Sequence, residues 1–246
     1  MNALRELTWL ELKLFLREPL TVVFVLVLPL VILYVLNGVF GDQADPSVWE
    51  GHSAVDFYTS AYVALVLATI GVLSLPVHLA GYREHGVLRR FRASALRPWT
   101  LVGAHLLVAV LTGTVGSVLL TAVSVLAYDA SLPQDPLGVL VAFLLVSVSF
   151  ATLGALLGLV LPTARAAQGL GVLLFFVFLM LGGAGPPREV LPSAMLRLSD
   201  LTPLTYAARL LRAPWLGASW EVTATAVMAG MAVVSVALTS WRLRAN

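Results

Sequence analysis

Six apolar stretches of this chain are each long enough to span a bilayer, and none contains an Asp, Glu, Lys or Arg: residues 20–37, 58–81, 100–127, 137–161, 168–184 and 222–241. A helix rises about 1.5 Å per residue, so about 20 residues cross a hydrocarbon core of about 30 Å. One charge at mid-membrane costs about 3 kcal/mol or more. The pattern predicts an all-α, polytopic membrane protein with six transmembrane helices. Only 11% of residues are charged and the mean hydropathy is +0.94; a soluble domain carries about 25% charged residues. The longest stretch outside the spans, 185–221, is too short for a separate soluble domain, so residues 1–246 read as one membrane domain. The absence of cysteine excludes disulfides, thiolate chemistry and Cys-ligated metal.

The first span does not read as a cleaved signal. Residues 1–18 mix Glu6, Glu11 and Glu18 with Arg5, Lys13 and Arg17, and no small-residue cleavage site follows Leu36.

Basic residues alternate by side. The N-terminal segment has Arg5, Lys13 and Arg17. The first loop, 38–57, has none and carries Asp42, Asp45, Glu50 and Asp56. The second, 82–99, has Arg83, Arg89, Arg90, Arg92 and Arg97. The third, 128–136, has only Asp129 and Asp135; the fourth has Arg165 and the tail Arg242 and Arg244. The positive-inside rule puts both termini in the cytoplasm. The fifth loop, 185–221, is the exception: it should lie outside, yet it holds Arg188, Arg197, Arg209 and Arg212. Its apolar pairs, such as Leu210 and Leu211, predict short helices packed at the membrane boundary.

Two connections carry more than a topology signal. Residues 1–18 read as an interfacial elbow helix, with Glu6, Lys13 and Arg17 on one stripe, turned into the first span by Pro19. A plain cytoplasmic extension of the span is the alternative. In 82–99, Val87, Leu88, Phe91 and Leu96 interrupt the arginines at near-helical spacing. A topology signal needs only basic residues in any order; apolar residues between them point to a short helix that docks on a partner. A loop binding anionic headgroups is the competing reading. Gly86 provides a turn before that helix.

Within the spans, Gly154 with Gly158, and Gly113 with Gly116, place small residues together for close helix approach, inside one protomer or at a subunit interface. His78 and His105 read as separate hydrogen-bonding residues near the cytoplasmic ends of their spans. Ser117, Thr121, Ser147, Ser149 and Thr152 have no base beside them in sequence and read as packing residues.

The catalytic inventory is short. No G-x-x-x-x-G-K-[ST] loop exists, and the only lysine, Lys13, follows no glycine run. No span carries a carboxylate for proton or sodium coupling, and no metalloprotease or nucleophile-elbow motif is present. The chain offers a path through the membrane without an energy source of its own. A transport subunit driven by a separate ATPase, a non-transport membrane scaffold or assembly protein, and a proton-coupled exporter remain, in that order.

An ordered set of segments resembles the ABC-2 type permease family, in particular bacterial drug-export permeases of the daunorubicin-resistance type. Arg17, Glu18 and Pro19 are similar to the family's Arg-acid-Pro motif before the first span. Leu28, Pro29 and the run from Gly38 to Gly41 follow. Arg83, Glu84, Gly86 and Leu88 match its Arg-Glu-x-Gly-Thr-Leu-x-x-Leu pattern, with Val87 in place of threonine and Phe91 in place of leucine. Leu191 to Met195, Leu201 to Tyr206, Leu211 to Ala213 and Gly217 resemble the family's external segment.

The resemblance implies a half-transporter in a bacterial inner membrane: two copies of this chain and two separately encoded ABC ATPase subunits, which alone would bind ATP and Mg. Residues 82–99 would form a coupling helix, with Arg83, Glu84, Gly86, Leu88, Arg89, Arg90, Phe91 and Arg92 at the ATPase. Lys13, Arg17, Glu18 and Pro19 would form the elbow. Asp200, Pro203, Thr205, Tyr206, Arg209 and Arg212 would form an external gate, Asp200 and Thr202 starting a helix over 205–212; arginines snorkelling to the interface explain the same residues. Charge-free spans suit a lipophilic or amphipathic drug-like cargo, with Phe143, Phe150, Phe175, Phe176 and Phe178 as candidate lining. Export of a polysaccharide or lipid-linked glycan is the alternative within the family. Membrane lipids are expected contacts and nucleic acid is not.

Overall fold

The computed structural model describes residues 6, 8, 9, 12, 13, 19, 23–40, 52–87, 98–186, 188 and 191–245. Among them all regular structure is helical. A π-helical turn, Val23–Val27, leads into α1, Leu28–Phe40. Helix α2, Ala54–Thr69, passes through a second π-helical turn, Ile70–Ser74, into α3, Leu75–Glu84. Then follow α4, Pro98–Tyr128, α5, Pro136–Val160, and α6, Ala164–Leu181. Two short helices, α7, Ser193–Ser199, and α8, Pro203–Trp215, precede α9, Val222–Ala245.

Five of these helices are long and apolar enough to cross a membrane: the continuous run Ala54–Glu84, Val102–Tyr128, Pro136–Val160, Ala164–Leu181 and Val222–Leu243. The first apolar stretch is helical too, but as a shorter segment, so the described residues give five such helices and not the six expected. The segment 185–221, expected to hold short helices, contains α7 and α8.

Sequence signals set the helix starts. Ser53 caps α2, its hydroxyl accepting from the Asp56 N–H at 3.2 Å. Asp135 caps α5 by accepting from the Gly138 N–H at 3.0 Å, with Pro136 at the first helical position. Thr163 caps α6 through the Ala166 N–H, and Thr202 with Pro203 opens α8. Helix α8 therefore starts two residues before the expected 205–212, and Asp200 closes α7 rather than capping α8.

The run Ala54–Glu84 is the centre of the bundle. Its most apolar window is 89% buried within the chain, against 22–50% for the other four long helices. Neighbours approach it on glycine. A Cβ on Gly154 of α5 would overlap the Gly71 carbonyl, and one on Gly71 the Phe150 carbonyl. Gly158 faces Leu79 and Pro76, Gly171 of α6 faces Val72 and Leu73, and Gly113 of α4 faces Leu67. The Gly154–Gly158 pair thus packs inside the protomer, Gly154 on the second π-helical turn and Gly158 on α3. In lipid, helix association relies on this close fit because hydrocarbon surrounds every helix alike.

Hydrogen bonds sort the connections onto two ends. At one, the Ser131 N–H reaches Asp56 and the Tyr58 hydroxyl reaches the Gly185 carbonyl. The N–H groups of Gln134 and Asp135 donate to the carbonyls of Trp215 and Pro214. At the other, Arg83 and Glu84 meet the α5–α6 connection. The fifth loop therefore shares an end with the third loop and the start of α2, despite its arginines. We call this the acid end and the opposite one the basic end.

Gly154→Ala should cost about 1–3 kcal/mol by forcing α5 away from the second π-helical turn. Gly169→Ala, where a new Cβ meets nothing within 4 Å, should leave stability unchanged. Thermal unfolding in detergent distinguishes them.

Candidate functional sites at the two ends of the central helix

The central helix has 31 residues, about 45 Å at 1.5 Å per residue. It starts four residues before the expected span and ends three after it, so its charged residues lie in its terminal turns.

At the acid end, Asp56 is 8% exposed. The Ser131 N–H donates to its Oδ1 at 2.6 Å and the Ser131 hydroxyl to its Oδ2 at 3.1 Å. Its place in the first turn of α2 also suits an acid, since the N-terminus of a helix carries partial positive charge. Tyr58 and Tyr62 stack with ring centroids 5.5 Å apart, and the Tyr58 hydroxyl donates to the Gly185 carbonyl at 2.7 Å. The Arg212 guanidinium sits over the Phe57 ring, 3.4 Å from its centroid. The Trp215 indole N–H reaches the Ser131 carbonyl at 3.3 Å.

The segment above is tied by its own polar side chains. Arg188 donates to Asp200 Oδ1 at 2.6 Å and to the Ser199 hydroxyl at 2.9 Å. Thr202 and Thr205 both donate to the Ser199 carbonyl, at 2.8 and 2.7 Å. Ser199 itself donates to the Leu181 carbonyl at 2.5 Å, joining the segment to the end of α6. The Tyr206 hydroxyl donates to the Asp200 carbonyl at 2.8 Å. Helix α8 buries Leu204, Thr205, Ala207, Ala208, Leu210 and Leu211; it is wedged into the bundle and does not lie as a cap upon it. The hydrogen bond from Arg188 is the main cause that lowers the Asp200 pKa; burial opposes it, and the charges of Arg188 and Arg209 add to the lowering.

Of the expected external-gate residues, the structure brings Asp200, Thr205 and Tyr206 into one network with Arg188 and Ser199. It sets Arg212 on Phe57, Arg209 within electrostatic reach of Asp200, and Pro203 at the start of α8.

At the basic end, Arg83 Nη1 donates to the Leu159 carbonyl. Glu84 accepts from the Ala164 N–H at 3.0 Å, supplementing the Thr163 cap of α6. The chain then turns at Gly86, whose φ of +70° is a region that side chains rarely adopt. The coupling residues Leu88, Arg89, Arg90, Phe91 and Arg92, and the elbow residues Arg17 and Glu18, lie outside the described residues. Lys13 and Pro19 are on helical backbone, with the Lys13 ammonium 5.1 Å from the Trp9 ring centroid.

Sequence reading missed several of these partners. Asp56 read as one more acid of the first loop; the Ser53-x-x-Asp56 spacing was the available capping signal. Arg188 carried no local signal, because its partners Ser199 and Asp200 are 11 and 12 residues away, and the tie of Ser199 to Leu181 spans 18. His78 and His105 are not separate: their rings are 6.4 Å apart, with the Tyr82 ring 5.7 Å from His105.

A model of the ABC-2 type transporter family matches residues 2–216. The chain belongs to this family. It is the membrane domain of an ABC-type permease, and its several apolar helices make it a multi-pass membrane protein. No curated protein matches the chain. Permeases of the ABC-2 family normally work with an ABC ATPase.

Two outcomes test the acid end. Asp56→Ala strips the Ser131 N–H and hydroxyl of their acceptor and should lower stability by about 1 kcal/mol, seen as a drop in Tm in detergent. A carboxyl whose folded pKa is depressed stabilises the fold above its unfolded value and loses that effect as pH falls through the folded value. The Arg188–Asp200 tie should therefore hold at neutral pH and release only below about pH 4. Carbon-13 NMR titration of Asp200 should give a midpoint below the ordinary carboxylate value in the wild type. The midpoint should move up in Arg188→Gln, which removes the main cause of the lowering.

Proposed function

We propose that this permease exports a lipophilic or amphipathic compound across the inner membrane of a bacterium, as a pair of identical chains driven by two separate ABC ATPase subunits. One observation carries the reading. A single buried helix, clamped at both ends, runs from the arginine-rich loop that begins at Tyr82 to the third loop, the turn at Gly185 and α8, the helix that also carries Thr205 and Tyr206 of the polar network around Asp200. An ATPase that displaced the loop would act on the network through this helix.

The charge pattern supplies the orientation. The basic end, with the arginines of 82–99, faces the cytoplasm together with both termini; the acid end faces out. The run Leu88, Arg89, Arg90, Phe91 and Arg92 seats in a groove of the ATPase, Leu88 and Phe91 as apolar anchors. Residues 1–18 lie beside it along the inner membrane surface, with the first apolar stretch as a sixth span.

Arg83 and Glu84 take a different part from the rest of that loop. Both are engaged with the α5–α6 connection, so they relay displacement of the loop to α5 and α6. The cargo class follows from the spans, whose interior offers no charge to pair with an ionic substrate.

The test is affinity purification in gentle detergent from cells expressing the ATPase subunit. Phe91→Ala should lower association with a P-loop ATPase by about 30-fold, the effect of truncating a buried anchor worth about 2 kcal/mol. Glu84→Ala should leave association nearly intact but uncouple ATP turnover from drug stimulation. Normal drug-stimulated turnover in both variants would remove the coupling role. Purification without an ATPase would favour a scaffold or assembly protein.

A further inference from the structure

Between α4 and α5, towards the acid end, the chain forms a cleft of about 650 Å³. Thr114, Ser117 and Thr121 of α4, Leu140 and Phe143 of α5, and Trp215 of α8 line it. Its volume falls within the range of about 300–1,000 Å³ usual for small-molecule sites. Among the described residues that line it there is no Asp, Glu, Lys, Arg or His. Leu140 and Val118, on opposite walls, are 52% and 62% exposed, so in the membrane the cleft opens sideways to hydrocarbon.

One stripe of the wall is polar. Thr114, Ser117 and Thr121 recur at helical spacing. The Thr114 hydroxyl is spent on the Val110 carbonyl at 2.8 Å. Ser117 is 8% exposed and its hydroxyl has no partner among the described residues. A buried hydroxyl without a partner is costly, and an acyl chain or a hydrocarbon would leave it so.

We propose that this cleft binds an uncharged lipophilic molecule bearing a hydroxyl or carbonyl oxygen, drawn from the bilayer, with Ser117 as its hydrogen-bond partner. With no counter-charge among the described residues of its wall, the cleft suits an uncharged ligand better than an ion. The ligand class rests on the export reading above, and the site adds where in the chain such a molecule is held.

The test uses the full chain in phosphatidylcholine nanodiscs, without an ATPase, and a diazirine-bearing hexadecanol as photoprobe. Crosslinks should saturate and map to the cleft faces of α4 and α5. Unlabelled hexadecanol should displace them about fivefold better than hexadecane, the ratio for one hydrogen bond. Ser117→Ala should abolish that preference, and Leu140→Trp, which fills the cleft from an exposed position, should abolish the saturable component. Val118→Trp on the facing wall serves if Leu140→Trp fails to fold. Labelling that spreads over all spans without saturating would overturn the proposal, as would equal displacement by hexadecane and hexadecanol. Intact labelling with no ATP-driven export would remove the export reading alone. Export unaffected by either tryptophan, with no saturable labelling, would remove the site alone.

Discussion

The architecture depends on the contact between the backbones of Gly71 and Gly154. A helix surrounded by other helices in a bilayer gains little by leaving lipid, since hydrocarbon solvates leucine as well as protein does. What holds the central run in place is contact area at short range, and that requires residues without side chains at the crossing. The contact falls at the π-helical turn Ile70–Ser74, an insertion that shifts the faces of the helix beyond it. The two halves of the run therefore address different neighbours: α2 packs on α8 and α4, whereas the π turn and α3 pack on α5 and α6. A second kind of glue is polar. Ser149 of α5 donates to the Met228 carbonyl of α9 at 2.9 Å, a hydrogen bond between helices that hydrocarbon does not compete for.

The charged groups of the acid end follow from the same environment. Near the membrane a lone charge is expensive, and a compensated one much less so. Asp56 is held by Ser131, Arg188 by Asp200 and Ser199, and Arg212 lies on the Phe57 ring. This explains why a loop with four arginines shares an end with loops that have none. At least two of the four are occupied within the chain, so the loop's raw count overstates the free positive charge it presents. The positive-inside rule counts side chains by position and carries no information about their partners.

Much of the fold was legible because its signals are local. Apolar runs of about 20 residues mark the spans by themselves; the caps Ser53, Asp135 and Thr163 are equally local signals that went unread. The span limits came within a few residues for the same reason. What stayed hidden was pairing across the chain. Asp56 and Ser131 are 75 residues apart, and Tyr58 and Gly185 127 apart. The aromatic residues show the limit most clearly. Phe150, Phe175 and Phe178 are core packers, Phe175 against Phe24 at 5.3 Å and Phe150 against Phe178 at 6.1 Å. Phe143 alone of the five lines the large cleft, and no feature of its own turn of sequence separates it from the others. Ser117 is a similar case: its neighbours Thr112 and Thr114 satisfy themselves on carbonyls of their own helix, whereas Ser117 has no partner among the described residues.

The clamps at the two ends of the central helix differ in kind, and the difference sets how motion can pass along it. At the basic end the bonds run to backbone: Arg83 to the Leu159 carbonyl and Glu84 to the Ala164 N–H. These fix α3 to the junction of α5 and α6, so the three elements move together. At the acid end the contacts are with the third loop, α8 and the turn at Gly185, all of which are themselves tied by side chains. Between the clamps, the π turn is the one interruption of regular α-helix, and such turns are where long helices bend. A displacement of α3 thus has two outlets. It can bend the run at residues 70–74, or it can slide α2 against α8. The glycine contacts at Gly154 and Gly171 seat α5 and α6 on that same turn. Bending there would have to separate backbones already in contact, whereas the α2–α8 surface is built from larger side chains and a guanidinium on a ring, which repack by rotamer change. The sliding route therefore disturbs fewer rigid contacts, and it leads directly to Arg212, Trp215 and the network around Asp200.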